Sequence, residues 1–123
     1  MDREIDFAKA QGLAPAVVQD AATGEVLMLG FMNREAWERT FSTGYVTFFS
    51  RTRGKLWTKG ETSGNRLRLI SATTDCDLDT LLLRVKVEGE GVVCHEGTRS
   101  CFTKPLLPDG YAIRNDSPSA VQP

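Results

Sequence analysis

The chain has 123 residues, 41% of them apolar and 25% charged, with a formal net charge of -1. That length fits one domain with its own core, and the near-neutral balance lacks the basic field that nucleic-acid binding needs. Asp2, Arg3, Glu4 and Asp6 place charges where a signal peptide needs an apolar run, so no targeting segment is expected, and the most apolar stretch, Val26 to Met32, is far too short to span a bilayer.

A short helix is expected over Asp6 to Gln11, stopped by Gly12. Ala16 to Gln19 and Val26 to Leu29 read as strands, and the turn-like Asp20 to Gly24 between them makes a hairpin. Asn33 suits the N-cap of a helix through Glu35, Ala36, Trp37, Thr40 and Phe41, with Gly44 just past its end. Trp37 and Phe41 are four apart and are expected to pack on a sheet from one face. Tyr45 to Ser50 is β-branched and aromatic, hence a strand, with Leu56 to Lys59 returning as its partner after Gly54. Arg66 to Ile70 alternates polar and apolar residues, Leu81 to Val87 follows, and a turn at Glu88 to Gly91 leads to Val92, Val93 and Cys94. Asn115 to Pro123 holds two prolines, two serines and no aromatic residue, as a flexible tail does. The expected fold is α+β and strand-rich, with a mostly antiparallel sheet, one main helix and the short N-terminal helix. It forms one domain over residues 1–114, followed by a tail over 115–123.

The densest chemistry lies in Asp75-Cys76-Asp77-Leu78-Asp79. If this segment is extended, its three carboxylates share a face with Leu81, Leu83, Val85 and Val87. Carboxylates beside a core-facing row repel one another and lose solvation unless protons or a cation offset their charge. Hard oxygen donors suit Mg²⁺. The plain alternative is a strand end whose acids are solvated after a bend near Asp79. Cys76 has the opposite parity, which separates a soft donor from the hard ones.

Three cysteines is an odd number, which argues against a disulfide framework and for a reducing, cytoplasmic setting. Cys94 and Cys101 flank a polar loop that holds His95, the one histidine of the chain. Without paired C-x-x-C knuckles this is no zinc ribbon. Burial as small apolar residues is the alternative for each cysteine taken singly. If the three thiols share a zinc ion, its fourth position falls to His95 or to water. With water there, zinc makes a nucleophile available near neutral pH and His95 is the natural base. With His95 there, the site is closed and structural. The residues alone leave both readings open.

Ser50 to Asn65 concentrates cations, hydroxyls, three glycines and one tryptophan. Arginine forks and glycine-turn amides are phosphate chemistry, and an indole offers a flat face to a base. Neither a P-loop nor a dinucleotide fingerprint is present, and a solvated hairpin is the alternative. A phosphorylated, base-containing small molecule is the expected ligand, with Arg51, Arg53, Trp57, Lys59, Thr62, Ser63, Gly64 and Asn65 as candidate contacts.

These motifs closely resemble the phosphoribosyl-AMP cyclohydrolases of histidine biosynthesis, over roughly Gly12 to Phe102. The resemblance is carried by Pro15 to Asp20, Gly24 to Leu29, Met32-Asn33 with Glu35-Ala36, and above all by the segments just described. The most specific are Ser50-Arg51-Thr52-Arg53, Leu56-Trp57, Lys59-Gly60, Thr62-Ser63-Gly64-Asn65, Asp75 to Asp79, Cys94-His95 and Ser100-Cys101-Phe102. It implies hydrolysis of the N1–C6 bond of the adenine ring in phosphoribosyl-AMP by a homodimer that uses zinc and Mg²⁺. It further implies Cys76, Cys94 and Cys101 as zinc ligands drawn from both subunits, with water in the open position. Asp75, Asp77 and Asp79 are implied as Mg²⁺ ligands and His95 as a proton-transfer residue. Thr52 stands where the family often has serine, and Phe48-Phe49 where tyrosine is common. Some members continue into a pyrophosphohydrolase domain, so this chain is expected to be the single-function form. The zinc nucleobase deaminases share the chemistry but not their H-x-E…P-C-x-x-C signature, which is absent here. Two rival readings are a non-catalytic nucleotide-binding module with closed zinc and deamination of a free nucleobase or nucleoside.

Overall fold

The computed structural model describes residues 3–108. The expected domain end at 114 and the tail over 115–123 lie outside them.

The first two strands, β1 (Ala14–Asp20) and β2 (Val26–Met32), form the expected hairpin, paired from Ala14 opposite Met32 to Gln19 opposite Val26. Its turn is built by Asp20, whose Oδ1 accepts the amides of Ala22 at 2.8 Å and Thr23 at 3.3 Å. Helix α1 (Arg34–Thr43) has the expected caps. Asn33 Oδ1 accepts from the Ala36 amide at 2.8 Å, and Gly44, at φ +83°, donates its N–H to the Thr40 carbonyl at 2.9 Å. The buried stripe of α1 is Ala36, Trp37 and Thr40. Phe41 departs from expectation: it is 58% exposed and meets Trp37 with ring centroids 6.2 Å apart. Trp37 forms the edge of the stripe, and about 100° per residue carries Phe41 some 40° further outward.

A second hairpin follows, β3 (Thr47–Ser50) against β4 (Lys55–Thr58), shorter than expected because Tyr45 instead bridges Arg68. β5 (Leu67–Thr74) and β6 (Leu81–Val87) complete a four-stranded sheet of order β2-β1-β6-β5. The mostly antiparallel expectation needs correction in the middle of this sheet. There β1 and β6 run parallel, from Ala16 opposite Leu81 to Asp20 opposite Val85, so the sheet is mixed. Both strands bury one row, Ala14, Ala16 and Val18 beside Leu81, Leu83 and Val85. Alternation reports which face is buried but not strand direction.

The expected N-terminal helix is replaced by consecutive turns over residues 7–12. Gln11 and Gly12 both have left-handed φ, +57° and +87°, and the Gly12 amide reaches the Phe7 carbonyl. Burial of Ile5 and Phe7 in the core outweighs the helical preference of so short a segment. No helix among the described residues is long and apolar enough to cross a membrane.

One face of the sheet is covered by α1 and the β3–β4 hairpin, and Phe48 sits between them, 1% exposed. Its ring leans on Trp57, with centroids 5.3 Å apart, and lies directly over Gly30. Thr40 joins helix to hairpin by accepting the Thr47 amide and donating to the Ala36 carbonyl, both at 2.9 Å. A Cβ on Gly30 would stand 2.6 Å from two atoms of the Phe48 ring. Gly30→Ala is therefore expected to cost about 1–3 kcal/mol through overpacking. Equilibrium urea unfolding checks this, and an unchanged midpoint would contradict it.

Candidate functional site

The acidic segment is the loop between β5 and β6, and turn geometry rather than strand parity gathers its carboxylates. The Asp75 amide donates to the Thr80 carbonyl, and Leu78, at φ +62°, turns the chain between Asp77 and Asp79. Ligand oxygens of Asp75, Asp77 and Asp79 all lie within 4.8 Å of one another. Desolvation works against the charge on Asp75. The amides of Asp79 and Thr80, which donate to its Oδ1 at 3.1 and 3.2 Å, outweigh this and hold the carboxyl below its ordinary range. Lys9 faces the cluster, donating to the Asp77 carbonyl at 2.9 Å and lying 3.9 Å from carboxylate oxygens of Asp77 and Asp79. The sequence pattern carried no signal for Lys9, because 68 residues separate it from Asp77.

Cys94 and Cys101 meet at the two ends of a short loop. The Cys94 amide donates to the Thr98 carbonyl and the Gly97 amide to the Cys94 carbonyl, both at 3.0 Å. At the far side, Ser100 Oγ donates to the Val26 carbonyl at 2.8 Å, and the Cys101 amide to the Leu27 carbonyl at 2.7 Å. The two thiols are close enough to shift each other's ionisation in opposite directions. The Glu96 amide, 3.5 Å from the Cys94 sulfur, is the main cause of a lowered Cys94 pKa, and burial opposes it. Burial, and then the neighbouring Cys94, push Cys101 up, against the nearby Lys59 ammonium. His95 is exposed and has no hydrogen-bond or ion-pair partner among the described residues.

Cys76 does not join this pair. Leu81, just beyond the acidic loop, pairs with Ala16, whereas Cys101 docks where β2 begins, beside Gln19. Three residues of β1 separate those rows, roughly 10 Å along the strand, with about 10 Å more across two strand spacings. Zinc–sulfur bonds of about 2.3 Å cannot bridge that gap. Among the described residues, the acid triplet is the one set of three or more potential ligand groups within 4.8 Å. Neither Cys76 nor His95 therefore completes such a set with the thiol pair.

The cationic cassette is also divided. Arg51 and Arg53 occupy the β3–β4 turn, and the Arg51 guanidinium lies 4.1 Å from the centroid of Phe31, whose row neighbours that of Leu81. Lys59 and the loop of Thr62, Ser63, Gly64 and Asn65 lie at the other end of β4, on the thiol side. Trp57 is half-buried between Phe48 and Lys59. Asn65 Oδ1 accepts the Glu90 amide at 2.7 Å, so it ties its loop to the turn after β6.

The soft donors and the hard donors thus form two chemically distinct sets, which suit zinc and Mg²⁺ respectively. The family model described as phosphoribosyl-AMP cyclohydrolase matches residues 28–103. The chain is 56% identical over 102 residues to a phosphoribosyl-AMP cyclohydrolase of Solibacter usitatus, covering 83% of this chain and 80% of that protein. It is 57% identical over 110 residues to one from Desulfatibacillum aliphaticivorans, covering 89% and 87%. It is also 58% identical over 100 residues to the histidine biosynthesis bifunctional protein HisIE of Escherichia coli K12, of which it spans 48%.

The opposite shifts of the two thiols have a measurable consequence. In metal-free Cys76→Ser protein, thiolate absorbance should rise in two steps, one below and one above the ordinary thiol value of about 8.5. Hydrogen bonds to the Cys94 thiolate favour the first ionisation, and the resulting charge delays the second. A single step at the ordinary value would contradict the pairing.

Proposed function

The chain belongs to the phosphoribosyl-AMP cyclohydrolase family, and on that premise we propose that it opens the adenine ring of phosphoribosyl-AMP by hydrolysing the N1–C6 bond, as a metal-dependent homodimer. The observation that carries this reading is the placement of Cys76 beside the acid triplet, at the opposite end of the sheet from Cys94 and Cys101. A twofold axis sets the acid end of one chain against the thiol end of another, twice per dimer. The composite site holds zinc on Cys94 and Cys101 of one chain and Cys76 of the other, and Mg²⁺ on Asp75, Asp77 and Asp79. When bound, zinc supplies the Lewis acidity that makes water a nucleophile near neutral pH, and Mg²⁺ supplies hard positive charge for oxyanions.

The remaining tasks fall to side chains. Arg51 and Arg53 come from the end that carries the acid triplet, and Lys59 with Thr62, Ser63 and Gly64 from the end that carries the thiol pair. The same twofold pairing therefore brings both cation groups around one phosphorylated ligand. Asn65 fixes the second group through Glu90. Trp57 is left with the part of its indole that Phe48 does not cover for contact with the base. Counting from the neutral imino form of the ring, hydrolysis joins the water oxygen to C6, breaks C6–N1, and leaves one water proton on the exocyclic nitrogen, which becomes the carboxamide NH2, and the other on N1. His95, exposed beside Cys94, is free to carry that proton.

Purified protein loaded with zinc and Mg²⁺ should turn over phosphoribosyl-AMP, followed by ultraviolet absorbance; a folded, loaded dimer without turnover overturns the reading. His95→Ala should retain its zinc and lose turnover by about 10²–10⁴-fold, whereas release of the metal would mark His95 as a ligand. Shared ligation is checked by mixing inactive Cys76→Ser and Cys94→Ser chains. Random reassortment restores one intact site in each mixed dimer, about a quarter of the wild-type activity. No recovery after verified exchange would contradict it.

A further inference from the structure

Arg99 lies inside the thiol loop, two residues before Cys101, and its guanidinium spans three partners. Nη2 donates to Oδ2 of Asp20 at the end of β1, and Nε to Oε1 of Glu25 at 3.1 Å, just ahead of β2. Nη1 donates to the Gly91 carbonyl at 3.3 Å. Asp20 is 6% exposed, and its other oxygen is already occupied by the turn amides of Ala22 and Thr23. The acceptor is therefore rigid and buried, and a buried carboxylate needs its cation. Ser100 and Cys101 hold the same loop to the β2 carbonyls of Val26 and Leu27. Together these bonds anchor the segment between the two thiols to both strands of the first hairpin. Asp20 closes one of the sequence motifs noted above, and the proposed reaction gives it no task.

We propose that Arg99, held by Asp20, is a positioning residue for zinc: it sets the Cys94–Cys101 geometry before the metal arrives. The proposal rests on the zinc reading of these thiols. Asp20 and Glu25 together more than offset the guanidinium charge, so Arg99 brings no net positive field to the sulfurs and its effect is mechanical. A loop already ordered loses less entropy when it binds. Outer-shell partners of metal ligands typically change metal affinity by about 10–100-fold.

The test is competitive zinc titration against a chromophoric chelator, using wild type, Arg99→Met, Arg99→Lys and Asp20→Asn. Asp20→Asn keeps an acceptor oxygen for Ala22 and Thr23, so the hairpin turn survives while the ion pair is lost. Circular dichroism and urea midpoints of the metal-free proteins report folding separately. Arg99→Met and Asp20→Asn should each weaken zinc binding about 10–100-fold, and their cobalt-substituted forms should show altered visible ligand-field bands. Arg99→Lys should recover part of the affinity. The double variant should lose little more than either single one, because the two residues act as one unit. Folded variants with unchanged zinc affinity and unchanged cobalt spectra overturn the proposal, even if their urea midpoints fall, since the pair then serves the fold alone. A wild type that takes up no zinc overturns the zinc reading itself, and the proposal with it.

Discussion

The parallel pairing of β1 with β6 is the constraint on which the rest of the molecule depends. It joins the first hairpin to the last one across the middle of the sheet, with the buried rows of both strands on the face that α1 and β3–β4 cover. Because the two strands run the same way, the loop entering β6 lies where β1 starts, and the thiol loop docks where β1 ends. An antiparallel pairing would exchange the ends of β6 and carry the acidic loop toward the thiols. The distance between Cys76 and the other two cysteines thus follows from strand direction, and with it the argument for two chains per site.

Local backbone chemistry then shapes each half. Around Asp75, the consecutive amides of Asp79 and Thr80 converge on one carboxylate oxygen, which lets an exposed loop keep three acids close together. Lys9 supplies the one cation that the fold brings against them among the described residues. Around Cys94, backbone N–H donation and a neighbouring thiol favour one thiolate, while Cys101 retains its proton longer. Both effects come from hydrogen bonds to the charged form, which outweigh desolvation at Asp75 and Cys94.

The aromatic core links these sites to the fold. Gly30 admits Phe48, Phe48 carries Trp57, and Trp57 receives Lys59 at 5.7 Å from its ring centroid. A chain of packing contacts therefore runs from β2 to the cation that faces Cys101. The cassette between Ser50 and Asn65 is continuous in sequence but wraps both ends of a four-residue strand. Its arginines and Lys59 consequently lie toward different ends of the sheet.

The sequence by itself determined the local elements. Asn33 and Gly44 marked the helix because capping needs only neighbouring residues, and the composition of Asp20 to Gly24 marked the first hairpin. It also determined the donor chemistry, since thiols, carboxylates and guanidinium groups keep their preferences wherever they are placed. Short-range patterns misjudged Phe41 and the N-terminal turns, where burial of Trp37, Ile5 and Phe7 decided the outcome. Only the tertiary structure decided that β1 and β6 run parallel, that Cys76 lies apart from Cys94 and Cys101, and that Arg99 reaches Asp20 across 79 residues. Alternation repeats every two residues in either strand direction, so it is blind to direction and to partner. Those choices are made by closing long loops around a shared core, which no window of neighbouring residues contains.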